Sequence, residues 1–79
     1  TNGITISVSR EGQLYVNSDE VALEALDEAL MAVAVDGARE KVPVSLEADA
    51  AVPNGQIVQI LDSLRRTGFT GVNLRTMDR

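Results

Sequence analysis

Apolar and polar residues alternate at the start of the chain. In residues 4–9 every second residue, beginning with Ile4, is apolar. This alternation is the period of a strand with one buried face. Glu11-Gly12 follows as a tight-turn signal, and residues 13–17 then alternate again. The two segments predict an antiparallel hairpin.

The period becomes helical in the next segment. Its apolar stripe consists of Leu23, Leu26, Leu30 and either Val33 or Ala34, which predicts an amphipathic helix. Two starts are open: Asn17 with Glu20 forms a capping box, or the strand continues through Val21 and the helix begins near Ala22. Asp36-Gly37 predicts the end, because glycine suits a left-handed C-terminal cap.

Residues 42–49 alternate as a third strand, and Pro43 belongs at its start or on an edge because it donates no backbone hydrogen bond. A second helix is predicted over residues 53–67. Its apolar stripe is Ile57, Ile60, Leu61 and Leu64. Either Pro53 is its first residue or Asn54 is its cap.

The exit of this second helix and the last strand follow from residues 65–77. Gly68 fits the left-handed position after the helix, and Phe69 can then contact Leu64. Residues 71–77 predict a strand with Val72 and Leu74 facing inward.

The predicted order is therefore β-β-α-β-α-β. Each predicted strand has one polar face, so we expect both helices on the other face of a mixed sheet. The predicted fold class is α/β in the broad sense, built as an α+β two-layer sandwich with open sheet edges. A length of 79 residues allows one domain. An open edge is a template for another strand.

Composition narrows the chemistry. Twelve acidic against seven basic residues give a net charge of −5, which argues against nucleic-acid binding because that needs a basic surface. The chain has neither Cys nor His, which excludes zinc–sulfur sites and a Ser-His-acid triad. We expect no enzyme activity, no cofactor and no metal.

Several segments together resemble the periplasmic domain of the ExbD/TolR family of biopolymer-transport proteins. They are the hairpin segments 4–8 and 12–17, residues 48–53 (Ala-Asp-Ala-Ala-Val-Pro), residues 57–69 and residues 72–74. The Ala-Asp-x-x-Val-Pro segment, followed by a helix that ends in Gly-Phe, is the most specific part. Ala48-Asp49 is more similar to the ExbD branch than to TolR.

The resemblance implies a subunit of the bacterial inner membrane with this domain in the periplasm and its transmembrane segment outside these residues. Such a subunit works with an ExbB- or TolQ-like motor protein, driven by the proton motive force. The motor energises a TonB- or TolA-like protein (the Ton and Tol-Pal systems), supporting transport across the outer membrane or its integrity. The resemblance further implies a homodimer and, for TolR-type domains, peptidoglycan binding.

Two groups of residues are candidate binding sites. A partner-binding loop would consist of Asp49, Val52, Pro53 and Asn54, although a short acid such as Asp49 better suits a cap for the turn or helix that follows it. An edge strand that pairs with a partner or a second copy would consist of Val72, Asn73, Leu74, Arg75 and Thr76, although a core strand fits these residues as well. The alternative to the transport role is a free-standing ligand-sensing or interaction module of similar two-layer build.

Overall fold

A mixed five-stranded sheet forms one layer of the molecule. The computed structural model describes residues 3–34 and 37–77. The strands are β1 (Ile4–Val8), β2 (Leu14–Val16), β3 (Asp19–Glu20), β4 (Val44–Asp49) and β5 (Val72–Met77). Their order across the sheet is β3-β2-β1-β4-β5. β1 pairs antiparallel with β2, and β2 with β3, whereas β1 with β4 and β4 with β5 are parallel. The predicted mixed sheet is confirmed, with β3 added to it.

Two helices form the second layer. A short 3₁₀ turn (Leu23–Ala25) leads into α1 (Leu26–Ala32), and α2 (Asn54–Arg66) connects β4 to β5. A further 3₁₀ turn (Arg39–Lys41) precedes β4. α1 ends earlier than predicted, because Val33 leaves the helix with a ψ of 127°. Gly37 has a φ of +97° but lies in a later turn, and Asp36 lies outside the described residues.

The tight turn between β2 and β3 excludes the predicted capping box. Asn17 and Ser18 have φ values of 50° and 79°, as the two central residues of a type I′ hairpin turn require. The Asn17 side chain accepts a hydrogen bond from the Thr5 N–H at 3.0 Å. Asn17 therefore closes a hairpin, and the extended Ala22 precedes the first helical turn. The prediction of a start near Ala22 is confirmed, but the strand does not continue through Val21: the chain turns at Asn17-Ser18, and β3 ends at Glu20.

The ends of α2 follow local chemistry. Pro53 is extended (φ −61°, ψ 141°) and precedes the first helical residue, Asn54; both predicted starts are thus displaced by one residue. At the other end, Gly68 has a φ of +99°. The Phe69 N–H donates to the Leu64 carbonyl at 2.8 Å, and the Gly68 N–H to the Arg65 carbonyl at 3.1 Å. This pair of bonds is a Schellman motif, as the sequence predicts.

One face of the sheet carries the core. Buried side chains from β1, β2 and β4 meet those of both helices, and α1 also contacts α2. The members from the strands are Ile4, Ile6, Val8, Leu14, Val16, Val44, Leu46 and Ala48, and those from the helices are Leu26, Leu30, Ile57, Ile60 and Leu64. On the opposite face Thr5, Tyr15, Glu47 and Arg75 all remain at least partly exposed. Both helices therefore cover the same face. Pro43 lies just before β4, and its carbonyl accepts the Ile4 N–H at 3.0 Å, in agreement with its predicted place at a strand start.

The inward placement of Leu74 is wrong. Leu74 pairs with Leu46 across the β4/β5 ladder and so shares its face of the sheet, yet Leu46 is fully buried and Leu74 is 51% exposed. Val72 is only partly buried. The face was predicted correctly, but the helical layer does not extend over the outer strand.

Candidate partner-binding site

β5 forms the long open edge of the sheet. It pairs with β4 on one side and has no neighbouring strand among the described residues on the other. A strand in this position presents unpaired backbone N–H and C=O groups to solvent. The predicted edge residues, 72–76, all lie on it, and all but the partly buried Val72 are exposed. The other edge differs, because β3 has two residues and both are exposed acids, Asp19 and Glu20.

The two faces of β5 differ in chemistry. Its register with β4 places Val72 and Leu74 in line with buried Val44 and Leu46, on the helix side. Asn73 and Arg75 lie opposite Ser45 and Glu47, on the open side of the sheet. A strand that paired with β5 would therefore meet apolar side chains on one face and polar or charged ones on the other.

A shallow groove runs between α2 and β5 on the helix side. It has a volume of about 270 Å³ and is lined by Leu61, Asp62, Arg65, Phe69, Thr70 and Val72; we call it the α2/β5 groove. Val58, one turn before Leu61 and Asp62, is 49% exposed. The Asp62 carboxylate accepts a hydrogen bond from Arg65 at 2.6 Å. The exposed Val58 and the partly buried Leu61 thus extend the apolar surface of α2 beyond its buried stripe.

Arg39, a residue that no sequence pattern indicated, fixes the turn that leads from α2 into β5. Its Nη1 donates to the Thr67 carbonyl at 3.1 Å, and its guanidinium carbon lies 5.7 Å from the centre of the Phe69 ring. The contact combines a C-terminal helix cap with a cation–π interaction. Because 28 residues separate Arg39 from Thr67, no local pattern could have indicated it.

The predicted loop, residues 49–54, divides into structural and exposed parts. Asp49 Oδ1 accepts the Ala51 N–H at 2.9 Å, and its Oδ2 lies 3.9 Å from Nε of Arg10. Val52 belongs to the core, whereas Pro53 and Asn54 are exposed. Asp49 thus stabilises the turn after β4, which leaves Pro53 and Asn54 as the exposed members of the four predicted residues.

A charged cluster joins the two helices. Asp27 on α1 accepts hydrogen bonds from Nε and Nη2 of Arg66, both at 3.1 Å, and from the buried Ser63 hydroxyl. The hydrogen bond from Arg66, and then the one from Ser63, hold the pKa of Asp27 below its ordinary value of 3.8. A carboxylate that is kept ionised and paired in this way connects helices, and it is unsuited to general acid–base chemistry near neutral pH.

Residues 3–34 and 37–77 offer neither a metal site nor a membrane span. None of the acidic side chains there group in a way that could hold a metal ion. None of the helices there has the length and apolar character required to cross a membrane.

Comparison with known proteins identifies a family model that matches the whole chain and relatives that match most of it. The family model described as "Biopolymer transport protein ExbD/TolR" matches residues 1–79. A protein of Pseudomonas aeruginosa named biopolymer transport protein ExbD is 36% identical over 67 residues, which are 85% of this chain and 49% of that protein. An Aquifex aeolicus protein of the same name is 32% identical over 71 residues, 90% of this chain and 50% of that protein. The chain therefore spans about half the length of the curated relatives it matches.

Proposed function

The chain belongs to the ExbD/TolR family of biopolymer transport proteins, and from this premise we propose that it is the partner-binding domain of a subunit that couples the proton motive force to transport. The match over all 79 residues carries the proposal. It favours this role over a free-standing ligand-sensing module, and it favours binding over catalysis because both curated relatives are named as transport proteins.

The finer proposal places the domain in the periplasm, attached to the inner membrane by a segment outside these residues. It would act with an ExbB- or TolQ-like motor and pass work to a TonB- or TolA-like protein. The open edge of β5 supports binding by strand addition, because backbone pairing gives affinity while alternate side chains select the partner. The exposed Leu74 and the α2/β5 groove offer apolar contacts on one face. The same edge would serve a second copy of the chain in a homodimer.

Photo-crosslinking in the full-length protein of its own host tests this proposal. A photoreactive amino acid at Asn73, exposed on β5, should crosslink to a TonB- or TolA-like protein, and collapse of the proton motive force should change the yield. The matched control is Glu11, exposed in the turn between β1 and β2 and separated from β5 by β4, where little crosslinking is expected. Equal yields at both positions, or a yield at Asn73 indifferent to the proton motive force, would contradict the proposal.

Peptidoglycan is a second ligand for which the structure offers a surface. The open face of the sheet carries a polar depression lined by Thr5, Ser7, Tyr15, Asn17 and Ser18. Hydroxyl and amide groups around an aromatic ring suit a saccharide, since they provide hydrogen bonds and an apolar platform. The amount of protein that sediments with purified peptidoglycan should fall for Tyr15→Ala and remain unchanged for Glu40→Ala. Equal sedimentation of both variants would argue against this surface.

A further inference from the structure

The charges of the chain are divided unevenly along the sequence. Residues 11–38 contain seven of the twelve acidic residues and none of the seven basic ones. Their formal charge is −7, whereas the remaining residues carry +2, in agreement with the total of −5. Residues 11–38 include β2, β3 and α1, so one side of the fold is strongly acidic. A field of one sign on one side attracts partners of the opposite charge.

The acidic side contains an apolar groove. Between α1 and β3 lies a depression of about 380 Å³ whose lining includes Val16, Val21, Ala29, Ala32, Val33 and Asp19; we call it the α1/β3 groove. Ala32 is exposed, and Val21, Ala29 and Val33 are partly buried. Small side chains leave room here for the side chains of a ligand. The groove lies at the opposite edge of the sheet from β5.

The acids around this groove are free to pair with a ligand. Asp19 on β3 lines the groove, Glu28 on α1 directly precedes its lining residue Ala29, and both acids are exposed. Within the described part of the chain, no Lys or Arg lies within ion-pair distance of either. By contrast, Asp27 is already paired with Arg66. Unpaired carboxylates beside an apolar floor favour a ligand that carries both positive charge and apolar groups.

The short acidic edge limits the mode of binding. β3 pairs with β2 through two residues only, and charged side chains on an edge strand oppose the addition of another strand. A ligand would therefore bind through its side chains, in contrast to the backbone pairing proposed for β5. Nucleic acid is disfavoured because its phosphates would be repelled. A second copy that brought the same acidic side would be repelled as well.

We propose that the α1/β3 groove binds a basic segment of a partner protein. Small apolar side chains of the segment lie on the groove floor, and its Lys or Arg side chains pair with Asp19 and Glu28. This surface is separate from the β5 edge, so the inference does not depend on the proposed transport function. Because the contacts are ionic and exposed, binding weakens as the salt concentration rises.

NMR titration of the ¹⁵N-labelled chain tests the proposal. The probe is a short peptide of alternating Lys and Val, and its control has Glu in place of Lys. The Lys peptide should shift amide signals mainly in residues 16–21 and 29–33, and the Glu peptide should shift none. Signals that move mainly in residues 72–77 would place the peptide on β5 and overturn the proposal, as would the absence of shifts around the groove.

Matched charge reversals separate a specific site from general attraction. The double variant Asp19→Lys/Glu28→Lys should weaken binding of the Lys peptide about tenfold or more, since two rim charges become repulsive. Glu40→Lys makes one such reversal outside residues 11–38 and should change the affinity less than about twofold. Ala32→Gln should weaken binding without any change of charge. An equal effect of Glu40→Lys, or a dimer of the unmodified chain that the double variant dissociates, would overturn the proposal.

Discussion

Substitution of Gly68 by alanine tests the account of the turn between α2 and β5. Gly68 has a φ of +99°, a conformation that costs a residue with a Cβ atom about 1–2 kcal/mol. An added Cβ would lie 3.6 Å from Cβ and Cδ of Arg39, which is ordinary van der Waals contact. The predicted cost is therefore conformational, and Gly68→Ala should lower the free energy of unfolding by about 1–2 kcal/mol.

Gly55→Ala is a matched control within the same helix. Gly55 lies in the first turn of α2, its φ lies outside the left-handed range, and an added Cβ would have no atom within 4 Å. Alanine there restricts the unfolded chain and should raise the free energy of unfolding by about 0.4–1 kcal/mol. One chemical change thus has opposite signs at the two ends of α2.

Urea unfolding followed by far-ultraviolet circular dichroism measures both variants. In thermal unfolding followed by the same signal, each kcal/mol of stability corresponds to a change in Tm of about 4–8 °C for a domain of this size. Gly68→Asn should recover part of the loss, because asparagine tolerates the left-handed conformation better than alanine does. If Gly68→Ala were as stable as the unmodified chain, or if both alanine variants shifted in the same direction, the assignment of strain to Gly68 would be refuted.

Three further predictions concern the hairpin, the helix pair and the outer strand. Ser18→Gly should raise the free energy of unfolding by up to about 1 kcal/mol, because Ser18 has a φ of 79° and glycine adopts it without strain; unchanged urea midpoints would contradict this. Asp27→Asn should lower the free energy of unfolding at neutral pH. The difference in stability between the variant and the unmodified chain should vanish as the pH falls through the folded-state pKa of Asp27, which lies below 3.8, because the protonated carboxyl no longer pairs with Arg66. A stability difference that urea titrations find independent of pH would refute this. Leu46→Ala should cost about 2–5 kcal/mol because Leu46 is fully buried, whereas Leu74→Ala, at a half-exposed position, should cost less than about 1 kcal/mol; equal costs in the same assay would show that Leu74 is covered.

The elements that sequence predicted well have strong local determinants. β1 alternates without exception from Ile4 to Val8 and buries one face, so periodicity alone specifies its orientation. The end of α2 depends on a few adjacent residues, Leu64 to Phe69, whose backbone bonds form a local motif. Where neighbours along the chain supply the energy, the sequence shows the outcome.

The features that sequence missed depend on contacts between distant residues, or on how far an element or a layer extends. β3 has two polar residues, too few to show a period. α1 ends at Ala32 although apolar residues continue beyond it. An apolar stripe in the sequence does not show where the packing of a helix ends. Alternation gives the face of Leu74 but not the width of the helical layer above it. Within the candidate sites, the placement of residues 72–76 on an edge was open until the strand order was known, and the α1/β3 groove arises only when two separate segments pack together.

The unequal edges of the sheet limit how far copies of this fold can associate. β5 offers six residues for pairing and β3 only two, both acidic. If two copies join through β5, each uses its one long free strand, and the combined sheet terminates in β3 at both extremities. Such an assembly has a valence of one per molecule, so growth stops at a pair and does not propagate into a fibre.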